Sequence, residues 1–174
     1  MKALVRVGIL ATALLLSACG GGGEDTTATE STSDQSLVTE TAAPTVEGAF
    51  GAPLDLGNGV TVTISEPKGF TPGQFASNFV PGQTANIVDI TVKNGGTAEL
   101  DLASILYAAE SGTNYCVDVL DGDNGVNGAP MDVIAAGASS TFTYAVACDA
   151  KVGDPLKLSV TLNEDVVSVE GTLA

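Results

Sequence analysis

The chain has 174 residues, with 21 acidic side chains against six cationic ones, no histidine, no tryptophan and a formal charge of −15. That balance excludes a nucleic-acid binder, which neutralises phosphates with Lys and Arg, and reads as a soluble, self-repelling surface. The missing histidine excludes Ser-His-Asp and Cys-His catalysis and any His-ligated zinc, and the missing tryptophan removes the usual ring platform for sugars.

The N-terminus carries Lys2 and Arg6, then an almost wholly apolar run from Val7 to Leu16, then Leu16-Ser17-Ala18-Cys19. Basic start, apolar core and small residues at a cut are the layout of a secretory signal. The run is about half of the ~20 residues that a membrane-spanning helix needs. The Leu-Ser-Ala-Cys tetrad resembles the lipobox of bacterial lipoproteins. That resemblance implies a signal peptide over residues 1–18, with Cys19 as the lipidated first residue of the mature chain. The other reading is an ordinary exported protein with a chance cysteine. Two acyl chains suffice for stable attachment where one does not. Loss of Lys2 and Arg6 without any acid would move the formal charge from −15 to −17.

Residues 20–48 are Gly, Thr, Ser, Glu, Asp, Ala and Pro with few large apolar side chains. Such a stretch cannot offset its ordering entropy. It reads, with Cys19, as a disordered tether over 19–48, spanning roughly 30 Å as a flexible linker. The folded domain is then expected over 49–174.

From Ala49 on, the apolar pattern has period two, the mark of half-buried strands. Val60, Val62 and Ile64 alternate with Thr61, Thr63 and Ser65. Val88, Ile90 and Val92 alternate with Asp89, Thr91 and Lys93, and Asn94-Gly95-Gly96 supplies a turn. Short strands follow around Leu100, over Ile105–Ala108 and over Asn114–Leu120. Phe142, Tyr144, Val146 and Cys148 share one face. Leu156 to Leu162 alternates again, and Val167, Val169 and Leu173 close the domain. Seven to nine short strands with no amphipathic helix predict an antiparallel β-sandwich, without the Cys-Trp-Cys hallmark of immunoglobulin domains.

Cys116 and Cys148 are an even pair once Cys19 is set aside, and in an exported domain such a pair predicts a disulfide. No C-x-x-C, histidine or neighbouring arginine is present to make either a reactive thiol.

Taken together, the lipobox, the acidic tether and the stretches "VDITVKNGGTAELDL" and "AAGASSTFTYAVACD" resemble the immunoglobulin-like lipoprotein domain of unknown function found in Gram-positive bacteria. That family is related in fold to a secreted mycobacterial immunogenic antigen. The matching positions are Ile90, Val92 and Asn94-Gly95, then Leu100 and Leu102, then Gly137 before Phe142, Tyr144 and Val146. The resemblance implies a sandwich on the outer face of the cell membrane and carries no catalytic set.

Two stretches concentrate side chains of functional interest. The acidic one, from Asp118 to Gly128, holds Asp121, Asp123, Asn124 and Asn127. Hard cations such as calcium want several such oxygens in a glycine-permitted loop. The spacing departs from the EF-hand pattern, and Asp, Asn and Gly are equally what a long turn needs. The other, Gly69 to Gly82, holds Phe70, Phe75 and Phe79 between two Pro-Gly turns. Exposed, these rings form an interaction patch; buried, they plug one end of the sandwich. Glu164 and Asp165 are adjacent acids, but a two-carboxylate hydrolase would need a cleft that so small a domain without tryptophan is not expected to build. The expectation is therefore a non-catalytic interaction module with no required cofactor, held at the membrane by lipid and meeting a partner protein of the envelope. Calcium or another small ligand is the alternative.

Overall fold

Alternating apolar and hydroxyl side chains form strand wherever one face can be buried and the other left in water. The computed structural model describes residues 44–174. Along it run β1 (Thr45–Ala49), β2 (Pro53–Asp55), β3 (Val60–Ile64), β4 (Lys68–Gly69), β5 (Thr84–Asn94), β6 (Leu100–Asp101), β7 (Leu106–Ser111), β8 (Asn114–Tyr115), β9 (Val117–Asp118), β10 (Val133–Ile134), β11 (Ser139–Cys148), β12 (Pro155–Leu162) and β13 (Asp165–Thr172). Eight of these have three residues or more and five are two-residue pieces.

They build a two-sheet sandwich. One sheet has the order β1-β13-β12-β7-β8. The other is β2-β3-β5-β11-β9, with β4 also on β5, and β6 and β10 make a small separate ribbon. Every described pairing is antiparallel except β1 on β13, which is parallel.

The core is the inward half of each alternation. Val60, Val62, Ile64, Val88, Ile90 and Val92 face Leu156, Leu158, Val160, Leu162, Val167 and Val169 across the sandwich. Polar residues inside it are few. Asn94 is 2% exposed and fully bonded: its Nδ2 donates to the carbonyls of Ala98 (2.8 Å) and Ile134 (2.9 Å), and its Oδ1 accepts the Gly96 N–H (3.0 Å). It ties the end of β5 to the β6–β10 ribbon, which is where a buried amide is tolerated.

Two features differ from the sequence expectation, and a third was not anticipated by it. First, β1 begins at Thr45, inside the segment read as tether. Its side chains alternate between exposed and half-buried, and it is held by its parallel main-chain ladder to Val166–Glu170. Second, Asn114–Leu120 is not one strand. β8 pairs with β7 in one sheet and β9 with β11 in the other, and Cys116 sits where the chain changes sheets. Its disulfide to Cys148, at the end of β11, closes that corner with the Cα atoms 4.3 Å apart. Third, the Ala49–Pro53 crossover drops Phe50 into the core at 5% exposure. The ring lies close against Gly171, where an added Cβ would stand 2.7 Å from Phe50 Cδ2.

The signal segment, Cys19 and the tether before residue 44 lie outside the described residues. Among the described residues no helix is long and apolar enough to cross a membrane.

Candidate functional site

The two stretches singled out by composition come together on the outer face of the β5–β11 sheet. Ala85 and Ile87 of β5 and Ala145 and Ala147 of β11 point outward. Phe70, Ala76 and Phe79 of one loop, with Val119 and Val126 of the other, cover them. Small side chains on the sheet let the rings lie close to the backbone plane. The result is a second, smaller apolar layer outside the main core, with Val119 and Val126 each 1% exposed.

Hydrogen bonds join the loops to each other. The Ser77 N–H donates to the Leu120 carbonyl at 2.8 Å, and Asn78 Nδ2 donates to the Asp118 carbonyl at 3.1 Å. Asn78 adopts the left-handed conformation (φ 65°), which asparagine tolerates better than most residues. The Phe70 N–H donates to the Ala85 carbonyl at 3.1 Å, which fastens the loop to β5. These contacts also occupy the outward carbonyls of Asp118 in β9 and of Leu120 just after it, covering an edge that would otherwise invite another strand.

Asp121 is the centre of this arrangement. It is 3% exposed. Its Oδ2 accepts the Gly73 N–H at 2.7 Å and the Asn124 Nδ2 at 2.7 Å, while its main chain exchanges two bonds with Val126. The Gly73 N–H, and next the Asn124 side chain, hold the Asp121 carboxyl below its ordinary range. Burial alone would push it the other way.

Of the four residues considered as calcium ligands, Asp121 and Asn124 are bonded to each other. Asp121 is engaged by N–H donors, Asn127 Nδ2 reaches the Gly125 carbonyl at 3.3 Å, and Asp123 and Asn124 lie in a single 3-10 turn over Gly122–Asn124. Among the described residues no group of three or more Asp, Glu, Cys or His side chains is gathered to hold a metal ion.

The three phenylalanines divide. Phe70 and Phe79 are half-buried against the outer sheet face rather than at an end of the sandwich, and Phe75 stands 79% exposed. Val80, on the same loop, and Val117 and Leu120, on the other stretch, are exposed as well. Sequence reading passed over these three. For Leu120 the signal was the run Val117-Asp118-Val119-Leu120, whose apolar residues fall on both parities, so that a strand burying Val119 turns Leu120 the other way.

Asp118 has a further partner. The Tyr144 hydroxyl, at the rim of the main core, donates to its carboxylate. Tyr144 stacks on Tyr107 with centroids 4.3 Å apart, and Phe142 meets Tyr107 edge-on at 6.4 Å. Burial first, then the bond to Asp118, pushes the Tyr144 phenol well above its usual range. Burial first, then the Asp118 charge, does the same to Tyr107. The Tyr107 hydroxyl is buried with no hydrogen-bond partner among the described residues. Glu164 and Asp165 sit at the β12–β13 turn, where Asp165 accepts from Asn58 Nδ2 at 3.3 Å.

No protein-family model and no curated protein matches the sequence. Solved structures do match in fold. A presumed lipoprotein (ycdA) from Bacillus subtilis superimposes with a TM-score of 0.55 at 16% identity, over 67% of this chain and 37% of that one. A β-sandwich protein from Clostridium difficile gives a TM-score of 0.46 at 14% identity, over 75% and 97% of the two chains. The chain thus spans little more than a third of the Bacillus protein that it resembles, and the likeness is one of fold: a β-sandwich of the kind found in that protein.

Proposed function

We propose that the protein is a non-catalytic binding module of the cell envelope, held by a lipidated Cys19 on the extracytoplasmic face of the membrane. Its contact surface is the outer layer built from residues 69–82 and 117–128. The observation that carries the reading is Phe75, a large ring 79% exposed on a loop bonded at several points to its neighbours. Val80 and Leu120 are exposed on the same two joined loops; contiguous exposed apolar patches mark interaction sites, and loops on a rigid sandwich are where such folds place them. The Cys116–Cys148 disulfide supports an oxidising compartment.

Two experiments test this. Cys19→Ser should move the protein from the membrane fraction to the soluble one and remove labelling by a palmitate analogue; continued membrane retention would sink the anchor. After mild formaldehyde crosslinking in cells, a partner recovered with wild type should be lost with Phe75→Ser. Equal recovery with both would remove the contact surface from this layer.

A further inference from the structure

We propose that this layer docks a partner-protein segment whose apolar side chains are flanked by lysine or arginine; the inference rests on the binding reading above and specifies its partner chemistry. Phe75, Val80, Leu120 and Val117 are 79%, 59%, 46% and 38% exposed. The pairing of Ser77 with Leu120 brings the loop that carries Phe75 and Val80 alongside the segment that carries Leu120.

The chemistry of the rim selects the occupant. Residues 69–82 and 117–128 contain Asp118, Asp121 and Asp123 and not one lysine or arginine. Asp118 and Asp123 are exposed. The buried Asp121 charge is met by N–H dipoles and by no cation. A second copy of this chain would bring the same carboxylates face to face. Anionic lipid headgroups draw basic segments, not acidic ones. A cationic segment gains steering and complementarity, and a guanidinium can stack on the exposed Phe75 ring. The contact is made by side chains rather than by an added strand, because the carbonyls of Asp118 in β9 and of Leu120 just after it are already taken by Asn78 and Ser77.

The test is photocrosslinking in intact cells with p-benzoylphenylalanine at position 75 or 120, and at 152 as a control. Val152 is 70% exposed in the β11–β12 turn. Crosslinked peptides are sequenced, and each variant is first checked for the wild-type melting temperature. We expect one protein partner at 75 and 120 and none at 152. Its crosslinked segment should carry Lys or Arg beside apolar residues, and added salt should lower the yield severalfold. A recurrent partner whose segment lacks cations, or a yield indifferent to salt, overturns the charge inference and leaves the binding reading standing. Adducts to lipid or to a second copy overturn the inference in favour of those occupants. No adduct at 75 or 120, or the same adducts at 152, overturns both.

Discussion

The Asp121 carboxylate accepts the Gly73 N–H at 2.7 Å across 48 residues of sequence, and this bond makes one layer of two loops. Gly73 suits the position because the main chain comes close to the carboxylate: a Cβ there would stand 3.1 Å from Asp121 Oδ1. Asp121→Asn keeps the shape but replaces one acceptor oxygen by a donor amide that faces N–H groups. We expect the melting temperature to fall by about 5 °C or more, on the usual scale for losing a buried bond in a domain of this size. Wild-type thermal stability in Asp121→Asn would show that the layer is held by its apolar contacts alone.

The same bond has a pH signature. The folded-state Asp121 pKa lies below the unfolded one. The stabilisation is therefore fully present above the unfolded value of roughly 4 and is lost as pH falls through the folded value. Other carboxylates titrate in this range, so the informative quantity is the difference between wild type and Asp121→Asn. That difference should be constant from neutral pH down to about 5 and shrink below about 4. A difference that grows on acidification would reverse the assigned direction.

Calcium should leave the melting temperature of the full chain unchanged, because Asp121 Oδ2 is already committed to Gly73 and Asn124. A calcium-induced rise that Asp121→Ala abolishes would reinstate the acidic loop as a metal site. Titration against a chelator-treated sample decides it.

Two constraints fix the sandwich away from this layer. Reducing the Cys116–Cys148 bond, which spans 32 residues, should cost about 3–4 kcal/mol by loop-closure entropy. For a domain of this size that is a fall in melting temperature of roughly 10–20 °C. Gly171→Ala should cost about 1–3 kcal/mol by overpacking against Phe50. Combined with Phe50→Leu it should cost less than the sum of the two singles. Strict additivity in that cycle would mean that the ring and the glycine do not touch.

The main core was legible because its signal is local. In Val60–Ile64 and Val88–Val92 each apolar side chain is two residues from the next, and burial follows the same beat. What escaped notice is what alternation does not encode. β1 has one large apolar side chain, Val46, and its strand character comes from a ladder to residues more than a hundred positions away. The second layer rests on Ala85, Ala145 and Ala147, which look neutral in a hydropathy pattern because alanine packs well both inside and outside. Composition did mark both halves of the candidate site. Their union depended on Asp121 meeting Gly73 and Ser77 meeting Leu120, long-range contacts with no trace in spacing.

The stacked tyrosines give a test of opposite signs for one chemical change. Both rings are packed at the rim of the core, 4.3 Å apart, and Phe replaces Tyr in each with little change of shape. At Tyr144 the lost hydroxyl is bonded to the Asp118 carboxylate, so Tyr144→Phe should destabilise by about 1–2 kcal/mol, the range for a bond to a charged group. At Tyr107 the lost hydroxyl is buried and unpartnered. Removing it relieves a desolvation penalty, so Tyr107→Phe should be neutral or stabilising by up to about 1 kcal/mol. Denaturant unfolding of the two variants at neutral pH measures both. Equal destabilisation would mean that the Tyr107 hydroxyl has a partner in solution, and an ordered water bridging it to Asp118 would be the first place to look.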